Sequence, residues 1–410
     1  MTRLPAYPLY LATAFISGLA IATAFTTNLV YQVEIVGLDA LQLILVGTVL
    51  EATVFIFEVP TGIIADLYSR RLSVIIGFAL IGAGLAVEGL VPLFVAVLLG
   101  QIIWGLGHTF TSGAHTAWLA DEIGEDDLPG ALIRGSQFRQ AGGLIGIALS
   151  VLLAGISRNL PLVVGGSSLA ALALLLVLTM PERGFRPSPT GERGTFSSMW
   201  NNARDGIRVI RRQSILILIL AVTVLYAIAS EVLDRLTTPF LLDTITLPSL
   251  GPLDPVAWFG LMAFVSIGLS VIVLEVIRRR LDTTDDRAIA TTLLAVNIIL
   301  IAAVAAFAAA TNLAFALAML WLRNPMRRAN DPILEAWQNR FIPSRVRATV
   351  LSINGQSDAI GQIVGGPLLG ALAIASSLRV SFFAAALVMA PVLLIYLWIR
   401  RRATLPDLAL

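Results

Sequence analysis

Eighteen residues, LWLRNPMRRANDPILEAW at 320–337, hold much of the chain's charge-bearing chemistry inside an otherwise apolar stretch. Arg323 and Arg327 are four apart, and Asp331 and Glu335 follow four and eight residues beyond Arg327. That spacing puts all four on one helix face. Arg328 stands three residues before Asp331. Guanidinium groups can grip a carboxylate or phosphate bidentately, and carboxylates can carry a proton. Two readings stay open. The charges form an internal ladder of ion pairs, or Arg323 or Arg327 meets an anionic ligand or a carboxylate that titrates. Pro325 and Pro332 are expected to interrupt the helix that carries them.

Other ionisable groups lie in apolar runs: Glu51 and Glu58, His108 and His115, Arg139, Glu231 and Asp358. An ionisable side chain at mid-membrane costs roughly 2.5–3.5 kcal/mol on insertion scales and is a functional candidate by default. Glu231, Asp358, Glu51 and His108 are therefore candidates for carrying a proton. Each could equally bond a neighbouring arginine or backbone group. Asp234 and Arg235 are expected near the outer surface, where an exposed pair would contribute little.

Composition names the solvent. Of 410 residues 57% are hydrophobic and 13% charged, against about a quarter charged in a soluble domain. Mean hydropathy is +0.87. The net charge of +2 gives no nucleic-acid footprint. Cysteine is absent, which excludes disulfides, zinc–thiolate sites and thiol nucleophiles. All 28 basic residues are arginine, which excludes a Schiff-base lysine and a Walker-type phosphate loop. No His-Glu-x-x-His or Gly-x-Ser-x-Gly motif occurs, so an embedded enzyme lacks its usual parts.

Twelve segments are long and apolar enough to span a bilayer, near 8–31, 41–66, 72–91, 93–119, 131–156, 160–180, 214–241, 254–277, 288–310, 312–338, 348–375 and 379–400. The break at 181–213 holds PERGFRPSPTGERGTF and then SSMWNNARDGIRVIRRQ. Met199, Ile207 and Ile210, with arginines between, predict an amphipathic helix on an anionic membrane face. The expected division is a six-helix bundle at 1–180, a basic linker at 181–213, a second bundle at 214–402 and a tail at 403–410. Arg70 and Arg71, the linker arginines, Arg278–Arg280, Arg287, Arg340, Arg345, Arg347 and Arg400–Arg402 fall on the side of both termini. Positive loops stay cytoplasmic, so both ends are expected inside. The halves also repeat. AWLADEIGEDDLPGALIRGSQFRQAGGLIG from 117 lies over AWQNRFIPSRVRATVLSINGQSDAIGQIVG from 336, with Gln137 on Gln356 and Gly142 on Gly361. Parallel six-helix repeats with a site between them mark many secondary transporters.

EVPTGIIADLYSRR at 58–71 carries the more specific signal. An apolar run breaks at Pro60 and Gly62 and closes on Asp66, Arg70 and Arg71. Gly62 would allow close helix contact, and Asp66 would meet an arginine or a helix N-terminus. The stretch resembles the signature of the major facilitator superfamily, Gly-x-x-x-Asp-Arg-x-Gly-Arg-Arg, between its second and third helices. It keeps Gly62, Asp66, Arg70 and Arg71 and departs at Leu67 and Ser69. EVPTG resembles the drug:proton antiporter branch.

The resemblance implies an all-α integral membrane protein of twelve transmembrane helices in two pseudo-symmetric six-helix bundles. Helices 1, 4, 7 and 10 would line a cavity served by alternating access, and Gly62, Asp66, Arg70 and Arg71 would form a conformational latch. Cavity candidates are Asn28, Gln101, Trp104, Arg139, Tyr226, Trp321, Arg323, Arg327 and Asp331. Two departures bear on the antiporter branch. Gln101 stands where such proteins often carry arginine, and the fifth helix lacks their Gly-Pro pair, leaving Arg139 as a substitute. The second-half stretch EVIRRRLDTTDDR loses the glycine spacing, so the tighter latch is expected in the first half. The expected partners are the bilayer, a small-molecule substrate and protons or another coupling ion, with no nucleic acid, metal or cofactor. A monomer in a prokaryotic plasma membrane is expected, exporting amphipathic organic molecules. The alternative is a carrier of an organic anion or lysolipid.

Overall fold

The computed structural model describes residues 4–186, 204, 207–343 and 347–402. The expected amphipathic helix lies mostly outside these. Of its described part, residues 207–212 are helical, with Ile207 exposed and Ile210 buried in a hydrophobic core.

Among the described residues the chain forms two compact units: Met1–Arg193 with Pro248–Ala263, and Gly194–Leu247 with Phe264–Leu410. The first contains α1 Ala6–Phe25, α2 Asn28–Glu34, α3 Ala40–Leu67, α4 Arg70–Leu90, α5 Phe94–Ser112, α6 Ala114–Ile123, α7 Leu128–Ile156 and α8 Leu160–Thr179. The second contains α9 Ser214–Arg235, α10 Thr237–Thr244, most of α11 Ala257–Arg280, α12 Asp286–Ala308, α13 Leu313–Arg340, α14 Arg347–Ala375, α15 Leu378–Met389 and α16 Pro391–Arg402.

α1–α2, α5–α6, α9–α10 and α15–α16 are each interrupted crossings, so these helices make twelve passes. Eleven passes are long and apolar enough to cross a membrane. α13 has the length, 28 residues, but its arginines and carboxylates remove it from the apolar set. This is the all-helical membrane architecture that the spacing of apolar runs predicts. The expected interruptions at proline do not occur. α13 runs continuously through Pro325 and Pro332, and α3 through Pro60. A proline deletes one helical hydrogen bond, and packed neighbours let a membrane helix absorb that loss.

The internal repeat is visible in the packing. α7 and α14 are both 29 residues long, and their limits differ by the shift of 219 found in the sequence. Gly142 of α7 faces α1 so closely that an added Cβ would lie 2.2 Å from the Phe15 carbonyl oxygen. Gly361 of α14 meets α9 in the same way, 2.6 Å from the Ala227 methyl. Small residues let membrane helices pack at backbone contact. Trp118 and Trp337, equivalent by the same shift, are each buried in the core of their own unit. Their indole N–H groups reach the Pro181 carbonyl at 2.7 Å and Asp286 Oδ1 at 2.9 Å.

Pro248–Ala263 is held in the first unit by charge. Arg158, between α7 and α8, donates to Glu34 at 2.8 Å and to Asp254 at 3.0 Å. Burial opposes ionisation of Asp254, but the Val256 N–H and the Arg158 guanidinium outweigh it and hold the carboxyl below its ordinary value of 3.8.

Candidate functional site: an acidic cavity and two polar clusters

A cavity of about 470 Å³ opens within the second unit, between α9, α13 and α14. Helical spacing builds its wall. Thr223, Tyr226, Ser230 and Asp234 come from α9, Arg327, Asp331 and Glu335 from α13, and Asn354, Asp358 and Gln362 from α14. Four carboxylates thus face one guanidinium, and that guanidinium is engaged. Arg327 grips Asp234 bidentately at 2.5 and 2.7 Å. Asp358 accepts from Gln362 at 2.8 Å, and Thr223 bonds Asn354 at 2.9 Å. Tyr226 donates to Asn297, whose amide reaches Asn330 Oδ1 at 2.9 Å.

The structure separates residues that the sequence placed on one face. Arg323 is buried away from the cavity wall, donating to Thr237 at 3.1 Å and lying over the Phe307 ring at 5.3 Å. Trp321 is half-buried on α13 and also does not line the cavity. Asp234 is exposed, as expected, but its partner is Arg327 and not Arg235. Arg235 instead approaches Glu231 at 3.5 Å, one turn back on α9. Glu231 is buried beside that arginine and outside the cavity lining. The ladder internal to α13 is thus replaced by a bridge between α13 and α9. Two turns of α9 put Asp234 opposite Arg327, and sequence spacing within one helix could not reveal that.

A second cluster lies in the first unit. Glu88 of α4 is fully buried, and its two carboxylate oxygens accept from Gln32 Nε2 at 2.7 Å and Gln101 Nε2 at 2.8 Å. Tyr31 donates to the Glu88 carbonyl at 2.8 Å. Gly84, one turn before Glu88, brings α4 against Gly100 of α5, where an added Cβ would stand 2.6 Å from the Gly100 oxygen. That approach is what lets Gln101 reach Glu88. Asn28 sits one turn before Gln32, and Trp104 one turn after Gln101. His108 stacks on Trp104 at 5.6 Å and is exposed. Arg139 lies exposed on α7, and Glu51 half-buried on α3. Sequence reading passed over Glu88 because it stands two residues from the end of α4, where a carboxylate reads as an interface residue. Its signal was Gln101, a polar residue in an apolar run with no partner in its own helix.

The third cluster surrounds the α3–α4 turn. Arg70 bonds Asp66 at 3.2 Å, Asp121 at 2.7 Å and the Ala117 carbonyl at 3.1 Å. Ser69 caps α4 by accepting from the Leu72 N–H at 2.9 Å. Its hydroxyl also donates to Glu182, which accepts the Arg71 N–H at 2.9 Å. A carboxylate at that helix N-terminus meets the positive end of the dipole. Arg71 donates to the Val177 carbonyl at 2.6 Å. Gly62 makes no close helix contact here: an added Cβ would meet no described atom within 4 Å. Asp121 and Glu182 were missed because both lie in polar stretches beyond span ends.

The whole-chain comparisons agree with this architecture. Residues 10–326 match the family model described as Major Facilitator Superfamily, and the chain belongs to that family. It is therefore a membrane transporter and not an enzyme. It is 23% identical over 363 residues to the uncharacterized MFS-type transporter YxaM of Bacillus subtilis (strain 168), with 87% of each chain covered. Its fold is similar to the nucleoside transporter NupG, with a TM-score of 0.77, 14% identity and 96% and 98% of the two chains covered. It is also similar to a POT family transporter in complex with 5-aminolevulinic acid, at 0.74, 13% identity and 97% and 96% coverage. At these identities the likeness is one of fold.

Proposed function

We propose that the chain is a proton-coupled exporter of amphipathic organic small molecules, and that within this class it favours cations. The observation that carries the reading is the acidic wall of the α9–α13–α14 cavity, where four carboxylates stand against an arginine already held by Asp234. Such a lining attracts positive charge and repels anions. The alternative, an ion-coupled carrier of an organic anion or lysolipid gripped by the arginines of α13, has less support, since Arg327 is engaged and Arg323 is buried beside Thr237 and Phe307.

In this reading the protein works by alternating access as a monomer in a prokaryotic plasma membrane. Its arginine-rich loops and both termini face the cytoplasm. The two bundles, 1–180 and 214–402, are joined by the 181–213 linker. Asp66, Arg70 and Arg71 act as a latch at the α3–α4 turn. No cofactor is needed, because an ion gradient supplies the energy.

Expression in an efflux-deficient bacterium tests this. Resistance to lipophilic cations that a protonophore abolishes is the expected result. Resistance confined to anions, or none with the protein present in the membrane, would overturn it.

A further inference from the structure

Glu88 has a chemistry that the acidic cavity does not use. It is fully buried in an apolar helix, yet each carboxylate oxygen has its own amide donor. The amides bring a second feature. Gln32 Oε1, Gln101 Oε1 and Asn28 Oδ1 are buried and accept no hydrogen bond from any described residue. Gln32, Gln101 and Asn28 are themselves 0%, 1% and 2% exposed. Buried polar atoms are normally satisfied, and leaving an acceptor unmet is unfavourable. Two unmet acceptors on the amides that bond the carboxylate, and a third one turn from Gln32 on α2, make a local excess of lone pairs over donors.

We infer that Glu88, with the amide oxygens of Gln32, Gln101 and Asn28, is a binding site for a monovalent cation, a proton or a sodium ion. The physical basis is the two-fold terminal torsion of a glutamine amide. With Glu88 ionised, both amides present N–H groups. When a proton from solvent forms an O–H bond on one carboxylate oxygen, reversal of the facing amide sets a carbonyl oxygen opposite that O–H. The proton returns to solvent as the amide turns back. Sodium, a hard cation that takes oxygen ligands, calls for the same reversal. The cluster can thus hold either charge state with its polar groups paired.

Three ionisable neighbours of the cluster have partners of their own. Tyr31 of α2 faces it with its hydroxyl on the Glu88 carbonyl. Glu34 at the end of α2 and Arg158 before α8 pair with each other. On the helices packed around α4, Glu51 lies on α3 and His108 on α5. As the coupling ion's site, the cluster rests on the ion-coupled reading above, but ion binding is testable without any substrate.

The experiment is infrared difference spectroscopy of the full chain in phospholipid vesicles, titrated from acid to alkaline pH in choline chloride and again in sodium chloride. A proton site gives a protonated-carboxyl band that grows as pH falls, is lost in Glu88→Gln and survives in Asp358→Asn. A sodium site gives a carboxylate-band change on adding sodium at neutral pH, lost in the same variant. Gln101→Met keeps the carboxyl and removes one amide, and it should displace the midpoint or the sodium response. Identical spectra for wild type and Glu88→Gln under both salts, with an unchanged Gln101→Met, would overturn the inference. Protonophore-insensitive resistance in cells alongside a titrating Glu88 would instead sink the proton-coupled reading and leave the site standing.

Discussion

Arg340 holds Asp286 at 2.9 Å in the second unit, and Arg70 holds Asp121 at 2.7 Å in the first, with the charges exchanged between equivalent helix ends. Arg70 opens α4 and Asp286 opens α12, while Asp121 and Arg340 lie 219 residues apart near the ends of α6 and α13. Arg340 further bonds the Thr283 and Thr284 carbonyls at 2.8 and 3.0 Å. The second half therefore has its own turn clamp although its glycine spacing is gone. Both pairs are partly shielded, so each should contribute on the order of 1 kcal/mol. Asp121→Asn should lower the melting temperature by roughly 2–4 °C. Asp66→Asn, which removes the more exposed partner of Arg70, should leave it unchanged and slow transport. A thermal shift series on both variants checks this, and equal melting losses would refute the division of labour.

Glycine positions give a contrast of opposite sign. Gly142→Val places a side chain against the Phe15 carbonyl of α1, where even a Cβ would lie at 2.2 Å. The crossing must open, at a cost of about 3 kcal/mol, the upper end for overpacking. Gly62→Ala meets open space within a helix and should stabilise the fold by up to about 1 kcal/mol. Yield of monodisperse protein in detergent measures both. Equal yields would show that the α1–α7 contact does not limit folding.

The α1–α7 crossing also shows what the sequence can carry. Gly142 and Gly361 were aligned by a shift of 219, and each closes a helix contact within its own unit, α7 on α1 and α14 on α9. Span positions were legible for the same reason, because a bilayer demands long apolar runs whatever the tertiary contacts. Side-chain partners were not legible. Asp234 meets Arg327 across 93 residues, and Glu88 meets Gln32 across 56. Such pairings depend on how two helices are rotated against each other, which one-helix periodicity does not specify. Interruptions failed for a related reason: Pro60, Pro325 and Pro332 are local signals, and packing overrode them.

Asp254 sets a pH dependence at the loop before α11. Its carboxyl is held below the ordinary value of 3.8, so it stabilises the fold fully above that value and loses the contribution as pH falls through its depressed folded-state value. Arg158 stays charged throughout, since burial is outweighed by its bonds to Glu34 and Asp254, which raise its value further. The melting temperature should fall on acidification below about pH 4, and Asp254→Asn should start lower and fall less over that window. Parallel curves for wild type and variant would show that the Arg158–Asp254 pair does not contribute.

Asp331 and Asp358 face the cavity from α13 and α14, and neither is the partner of Arg327 in the bidentate pair. If their charge selects cations, Asp331→Asn and Asp358→Asn should each weaken resistance to a lipophilic cation about tenfold, the effect of losing roughly 1.4 kcal/mol of attraction. Resistance to a neutral analogue of the same size should change little, because the apolar part of the wall is untouched. Asp234→Asn should behave differently. It strips Arg327 of its partner and leaves a guanidinium against the cavity, so cation resistance should fall and the yield of folded protein with it. Paired dose–response curves for the cation and its neutral analogue in all three variants decide the matter. A uniform loss for both compounds would mean that these carboxylates shape the cavity without reading charge.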